Sequence, residues 1–254
     1  MSDKGTSKKV TRVGSTETQT PTPPDNNKPF VVSDENKAKA KQFRFIAIAA
    51  WVLAIGAEIG AIFLLKKVPV PMVWLIVLIV VDMILAIIGS LQWKKANRFD
   101  PASEKDKIRF FIQNQLGAII SIIAFLPLII LVFTNKNMTG KQKGIAGAVG
   151  IVALLVAGYF GIDFNPPSQE QYQQQTEQVK QLNEGQDFVY WTKSGTRYHL
   201  YKDCPYINTD RTDEIFEGTV ETARHEKNIT ELCSFCENRA KKENEILPVT
   251  DSTK

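Results

Sequence analysis

Between residues 45 and 164 the chain alternates long apolar blocks with short polar loops rich in lysine and arginine. The blocks cover 45–65, 72–91, 110–133 and 144–162. At 1.5 Å of rise per residue, about 20 residues cross a hydrocarbon layer of ~30 Å, so each block predicts one transmembrane helix. Outside this region the pattern changes. Residues 1–36 are rich in Thr, Ser, Pro, Asn and Lys, lack apolar periodicity, and read as a disordered tail too polar to be a signal peptide.

After the fourth block, residues 165–186 open with the helix-breaking run NPPS and continue rich in glutamine, with Tyr172, Val179 and Leu182 on one face. They predict a short stalk helix closed by Gly185 at C′, with a flexible linker as the alternative. From 187 to 247 the apolar runs become short, β-branched and aromatic, and 248–254 form a final tail. Phe188 to Lys193 and Thr196 to Tyr201 flank Ser194 and Gly195, predicting a hairpin with a two-residue turn. A polar helix follows from Glu237 to about Glu245. The expected fold is therefore a mainly α membrane protein. Four transmembrane helices within 37–164 precede a small C-terminal α+β domain of hairpin and helix, treble-clef-like in outline.

Local signals refine the helices. Pro71 suits the first position of the second helix, and the run DPAS from Asp100 to Ser103 offers an N-cap and first-turn proline for the third. Pro127 should kink that helix. Gly144, Gly147, Gly150, Ala153, Ala157 and Gly161 give the fourth a small-residue surface for close helix contact, which leaves a homo-oligomer open. Trp74 and Trp93 stand near the ends of the second block as interface anchors.

Charge sets the expected topology. Lys37, Lys39, Lys41 and Arg44 precede the first block, and Lys94, Lys95, Arg98, Lys105, Lys107 and Arg109 fill the second loop. The other two loops hold only Lys66, Lys67, Lys136, Lys141 and Lys143. The positive-inside rule then places the amino terminus in the cytoplasm, and four crossings return the carboxy terminus to the same side of a bacterial inner membrane. Two acids lie inside the blocks, Glu58 and Asp82, where a carboxylate costs several kcal/mol unless protonated, paired or bound to a cation. Rise per residue staggers them in depth, and hydrogen bonding to Gln113, Asn114 or Gln115 would relieve them along a shared polar seam.

All three cysteines and both histidines fall after residue 190. His199 and Cys204 form an H-x4-C pair on the hairpin side, and Cys233 with Cys236 form a C-x2-C pair opening the last helix. Four soft donors on two elements match a closed, tetrahedral Cys3His zinc site with no position left for a catalytic water. An odd number of thiols in this context indicates a metal in a reducing compartment rather than a disulfide framework. Buried free cysteines are the alternative, but a domain of roughly 60 residues with few Leu, Ile and Val needs a staple. A thioredoxin-like use of Cys233 and Cys236 lacks the surrounding βαβ pattern. His225, among Arg224, Glu226 and Lys227, reads as an exposed residue of a short helix.

The run VYWTKSGTRYH from Val189 to His199, then DCPY from Asp203 to Tyr206, then Cys233-x-x-Cys236, resembles small zinc-binding domains appended to many bacterial proteins. These are distantly similar to the metal-binding domain of the Ada-type alkylation-repair protein. In that domain the ligands are all cysteine and one accepts a methyl group from DNA; His199 in the set here speaks against alkyl transfer. The membrane half resembles uncharacterised bacterial four-helix membrane proteins, which brings no activity. Residues 187–254 carry ten Lys and Arg against thirteen Asp and Glu, so nucleic acid is an unlikely partner. Phe188, Tyr190, Trp191, Tyr198, Tyr201, Tyr206 and Phe235 supply the small core, any surplus marking a docking face. The expectation is a non-enzymatic protein in the lipid bilayer that presents a structural zinc module to a cytoplasmic protein partner. The alternatives are a small transporter or proton or cation conductor using Glu58 and Asp82 with a regulatory zinc domain, and an enzyme with Cys233 or Cys236 as nucleophile.

Overall fold

The computed structural model describes residues 8–13, 31–227 and 229–246. The chain divides into two compact units, one from Val32 to Ser168 and one that joins Gln169–Lys254 with Met1–Val31. Among the described residues the fold is mainly helical, with four long apolar helices and a small C-terminal region containing strands.

The first unit is a bundle of α1 (Asp34–Leu65), α2 (Met72–Phe99), α3 (Lys107–Thr134) and α4 (Gly140–Gly161). All four are long and apolar enough to cross a membrane. The helices outrun the apolar blocks because the polar ends contain no breaker. Ser33 caps α1 by accepting the Asn36 N–H at 3.3 Å, and Thr139 with Gln142 forms a capping box on α4. The expected cap at Asp100–Ser103 is not used. Asp106 caps α3 instead, accepting the Arg109 N–H at 3.1 Å, while Asp100 ends α2 and binds Arg44 at 2.7 Å. The helix runs on through Pro127.

Small residues set the helix spacing. A Cβ built on Gly161 would lie 2.6 Å from the Gly117 carbonyl carbon and the Ala118 nitrogen, so α3 and α4 meet backbone to backbone. Gly147, Gly150, Ala153 and Ala157 continue this buried face, whereas Gly144 is exposed. Between α1 and α2, Trp51 occupies the space a side chain at Gly89 would need and donates to the Ala86 carbonyl at 3.4 Å. Trp93 is half-buried between Trp51 and Arg44, unlike exposed Trp74. Outward-facing Phe45, Val52, Leu53, Phe63, Val73, Phe111 and Leu155 leave a broad apolar surface exposed, as a hydrocarbon surround requires.

In the second unit the Gln-rich stretch is helical, α5 (Gln169–Leu182), with Tyr172 and Val179 buried and Leu182 packed beside them. Its end differs by one residue from expectation. Glu184 takes the left-handed conformation at φ 51° and Gly185 follows at φ 82°, its N–H returning to the Lys180 carbonyl at 2.8 Å, so Gly185 is C″ of a Schellman ending. Next come β2 (Val189–Thr192), β3 (Arg197–Tyr198), β4 (Glu214–Gly218), α6 (Val220–Lys227), β5 (Glu231–Leu232) and α7 (Ser234–Ile246).

The expected hairpin survives as a single pair. Tyr190 and His199 exchange N–H···O bonds of 2.7 Å in the register that centres on Ser194 and Gly195. Beyond that pair the strands part: β2 runs antiparallel to β4, and β3 pairs in parallel with β5. A further strand, β1 (Lys9–Arg12), adds in parallel to the other side of β4, giving the order β1-β4-β2. The expectation of a disordered tail over 1–36 is thus corrected at Lys9–Arg12, which find pairing partners at the far end of the chain, and at the first turn of α1. Residues 1–7 and 14–30 of that stretch, and those of the final tail at 248–254, lie outside the described residues.

Candidate metal centre

Three short elements converge on the cluster. The pair with Tyr190 fixes the backbone of His199. Five residues on, Cys204 sits in a turn, its N–H bonded to the Tyr201 carbonyl at 3.2 Å and its own carbonyl accepting from Ile207 and Asn208. Cys233 follows β5 directly, with its N–H on the Tyr198 carbonyl at 2.9 Å, and Cys236 lies in the first turn of α7. A salt bridge locks these parts together: Arg239 on α7 reaches both carboxylate oxygens of Asp203 at 3.1 Å and stacks over Tyr201 at 4.0 Å.

His199, Cys204, Cys233 and Cys236 are all buried, and their ligand atoms lie within 4.8 Å of one another. His199 Nδ1 is 3.3 Å from Cys204 Sγ and 3.7 Å from Cys236 Sγ. Metal–sulfur bonds of ~2.3 Å and metal–nitrogen bonds of ~2.0–2.1 Å at tetrahedral angles imply donor separations of roughly 3.5–3.8 Å, so this cluster could hold a metal ion. All three cysteines are free of disulfides.

The electrostatics agree. Burial, with Arg197 nearby, brings His199 down to about 4, which keeps the imidazole in the neutral form that ligates. Burial pushes the Cys204 and Cys236 thiols up from their ordinary value. Packed together without a cation, thiolates here would repel; a divalent ion at the centre reverses that balance and stabilises them.

The aromatic residues divide into core and surplus. Trp191 and Tyr198 are buried, and Phe188, Tyr190 and Tyr201 half-buried. Tyr206, two residues after Cys204, and Phe235, between Cys233 and Cys236 in the first turn of α7, are 70 % and 42 % exposed and meet edge to face at 6.0 Å. His225 lies on α6, half-buried rather than exposed, and outside the cluster.

Arg224 is the residue that sequence reasoning passed over. Fully enclosed, it donates to the Tyr172 carbonyl at 2.9 Å, Gln175 Oε1 at 3.1 Å and Thr176 Oγ1 at 3.4 Å, with its guanidinium 4.0 Å above the Tyr172 ring. It fastens α5 to the strand-containing region. The available signal was its place one helical turn after Val220, on the buried face with Ala223.

The intramembrane residues are arranged otherwise than the apolar blocks suggest. Trp51 meets Gly89 and Gly60 meets Leu78, so the antiparallel register of α1 and α2 brings Glu58 level with the turn ending at Asp82. Both acids are buried, and they interact electrostatically. Gln113, Asn114 and Gln115 do not serve them. Gln113 donates to the Asp100 carbonyl at 2.9 Å, Asn114 pairs with Asn97 at 3.3 Å and with the Phe110 carbonyl, and Gln115 donates to the Asp163 carbonyl at 2.9 Å. These amides tie helix ends together, and both Asp82 oxygens lack a hydrogen-bond partner among the described residues.

Comparison with protein-family models, with curated proteins and with solved structures returned no match. Fold and site together define a protein of four membrane-length apolar helices carrying a buried Cys3His cluster that could hold a metal ion.

Proposed function

We propose that the chain is an integral protein of the bacterial inner membrane whose helices hold a zinc-stapled module at the cytoplasmic face, where it docks a protein partner. The observation that carries this reading is the pairing of a closed four-donor cluster with the exposed Tyr206 and Phe235 beside it. Four protein ligands leave no coordination position for chemistry, and exposed aromatic side chains next to the ligands in sequence suit partner contact. Three thiolates and an imidazole favour zinc among divalent ions of ordinary availability. The loop charges support a cytoplasmic module, and the pairing of β1 with β4 supports an even number of crossings, since both chain ends must share a compartment. The treble-clef-like likeness and the distant Ada-type resemblance fit a structural zinc. The acidic balance of the region turns it from DNA toward protein.

Metal analysis of the full chain in detergent, together with photo-crosslinking from positions 206 and 235 in cells, tests the proposal. One zinc per chain and a discrete crosslinked protein are expected. Stoichiometric folding without metal, or crosslinks to lipid alone, would sink it.

Asp82 supports a second reading. A fully buried carboxyl with no hydrogen-bond partner among the described residues, level with Glu58 between two apolar helices, is the arrangement a proton or cation carrier would need. Proteoliposomes decide it: Glu58→Gln with Asp82→Asn should abolish proton or cation flux, and equal flux from both proteins removes the reading.

A further inference from the structure

The outer edge of β4 is covered by a segment held in an unusual way. β1 has four residues, pairs with β4 from about 200 positions away in sequence, and buries almost nothing: Val10 is 42 % exposed, and the Lys9 and Arg12 side chains 75 % and 56 %. What holds it is backbone pairing and charge, joined by Arg12 over the Phe188 ring and by Val13, just past the strand, packed on the small core. Lys9 binds Glu214 at 2.8 Å, Arg12 binds Glu217 at 2.7 Å, and Thr11 also bonds Glu214. Because Lys9 and Arg12 have opposite parity along the strand, these ion pairs clamp it from both faces. Lys8 reaches the Thr209 carbonyl, and the Val13 N–H donates to the Glu217 carbonyl at 2.9 Å. At the end of the slot a Cβ on Gly218 would stand 2.7 Å from the Val13 carbonyl oxygen, so glycine there leaves room for an incoming backbone.

We infer that the β4 edge is a strand-docking slot for an extended partner segment with cations three residues apart, and that β1 occupies it in cis as an autoinhibitory stand-in. This rests on the docking reading and names its edge and its partner chemistry. The slot supplies main-chain hydrogen bonds for affinity and Glu214 and Glu217 for specificity, as strand addition requires. A segment with little buried surface is held weakly enough to be exchanged. Removing it should raise apparent affinity in proportion to the fraction of chains whose slot it had filled.

The test uses the full chain in nanodiscs and a fluorescent peptide of residues 7–13, SKKVTRV. Lys9→Glu with Arg12→Glu in the protein should release its own strand and tighten peptide binding about tenfold or more over the unaltered protein. Adding Glu214→Lys with Glu217→Lys should abolish that gain, and a peptide with proline in place of Val10 should not bind. Equal or undetectable peptide binding by the released and unaltered proteins overturns the inference. So does entry of a second copy's β1, seen as a dimer whose chains crosslink between positions 10 and 215. Metal content, measured on the same samples, separates failure of the slot from failure of the zinc module.

Discussion

His199 Nδ1 lies 3.3 Å from Cys204 Sγ, two ligand atoms on one short stretch slightly inside the roughly 3.5–3.8 Å between neighbouring corners of a metal-centred tetrahedron. Cys233→Ser should therefore remove the proposed zinc and unfold the domain together, with loss of near-UV circular dichroism tracking metal release. Acidification should do the same, since protons compete for the imidazole and all three thiolates. The sign is fixed: affinity falls as pH falls. Zinc retained at pH 4 would speak against the assigned ligands.

Arg224→Ala removes one donor each from the Tyr172 carbonyl, Gln175 Oε1 and Thr176 Oγ1 inside a closed space. A loss of about 3 kcal/mol is expected, from broken charge-assisted bonds and lost packing. Hydrogen exchange should show α5 losing protection before the cysteine-bearing elements, because α5 is the part Arg224 fastens.

Gly161→Ala and Gly158→Ala should differ sharply although they are neighbours on α4. The first places a methyl 2.6 Å from backbone atoms of α3, whereas the second meets nothing within 4 Å. Thermal aggregation in detergent should fall by several degrees for Gly161→Ala and remain unchanged or rise slightly for Gly158→Ala, a better helix former than glycine.

Asp82→Leu removes a buried polar group that has no hydrogen-bond partner among the described residues and should stabilise the bundle by about 1–3 kcal/mol. A fall in thermal stability would mean the carboxyl is held by an ion or water in the native state.

How much of this was legible in the sequence follows from the range of the interactions. Membrane-length helices need only a long apolar run, so α1 to α4 were readable, whereas the polar start of α1 and the polar end of α2 were not. The Cys3His cluster was readable because few arrangements use cysteines at that spacing, and the buried face of α5 because Tyr172 and Val179 recur at helical period. β4 was not, since two of its five residues are glutamates and no alternation marks it. β1 was hidden for a different reason: nothing local makes Lys9–Arg12 a strand, only Glu214 and Glu217 far along the chain. The level meeting of Glu58 and Asp82 depends on Trp51 lodging against Gly89, a fit that rise per residue does not contain. Arg224 looked like surface charge because its acceptors lie on α5, about 50 residues earlier.

The pairing of β1 with β4 also imposes a timetable on biosynthesis. β1 leaves the ribosome about 200 residues ahead of Glu214, its partner. At roughly 5–20 residues per second that interval is on the order of 10–40 s. Throughout it, while the apolar helices are being made, the leading strand has no edge of its own to join and is available to any other acidic edge within reach.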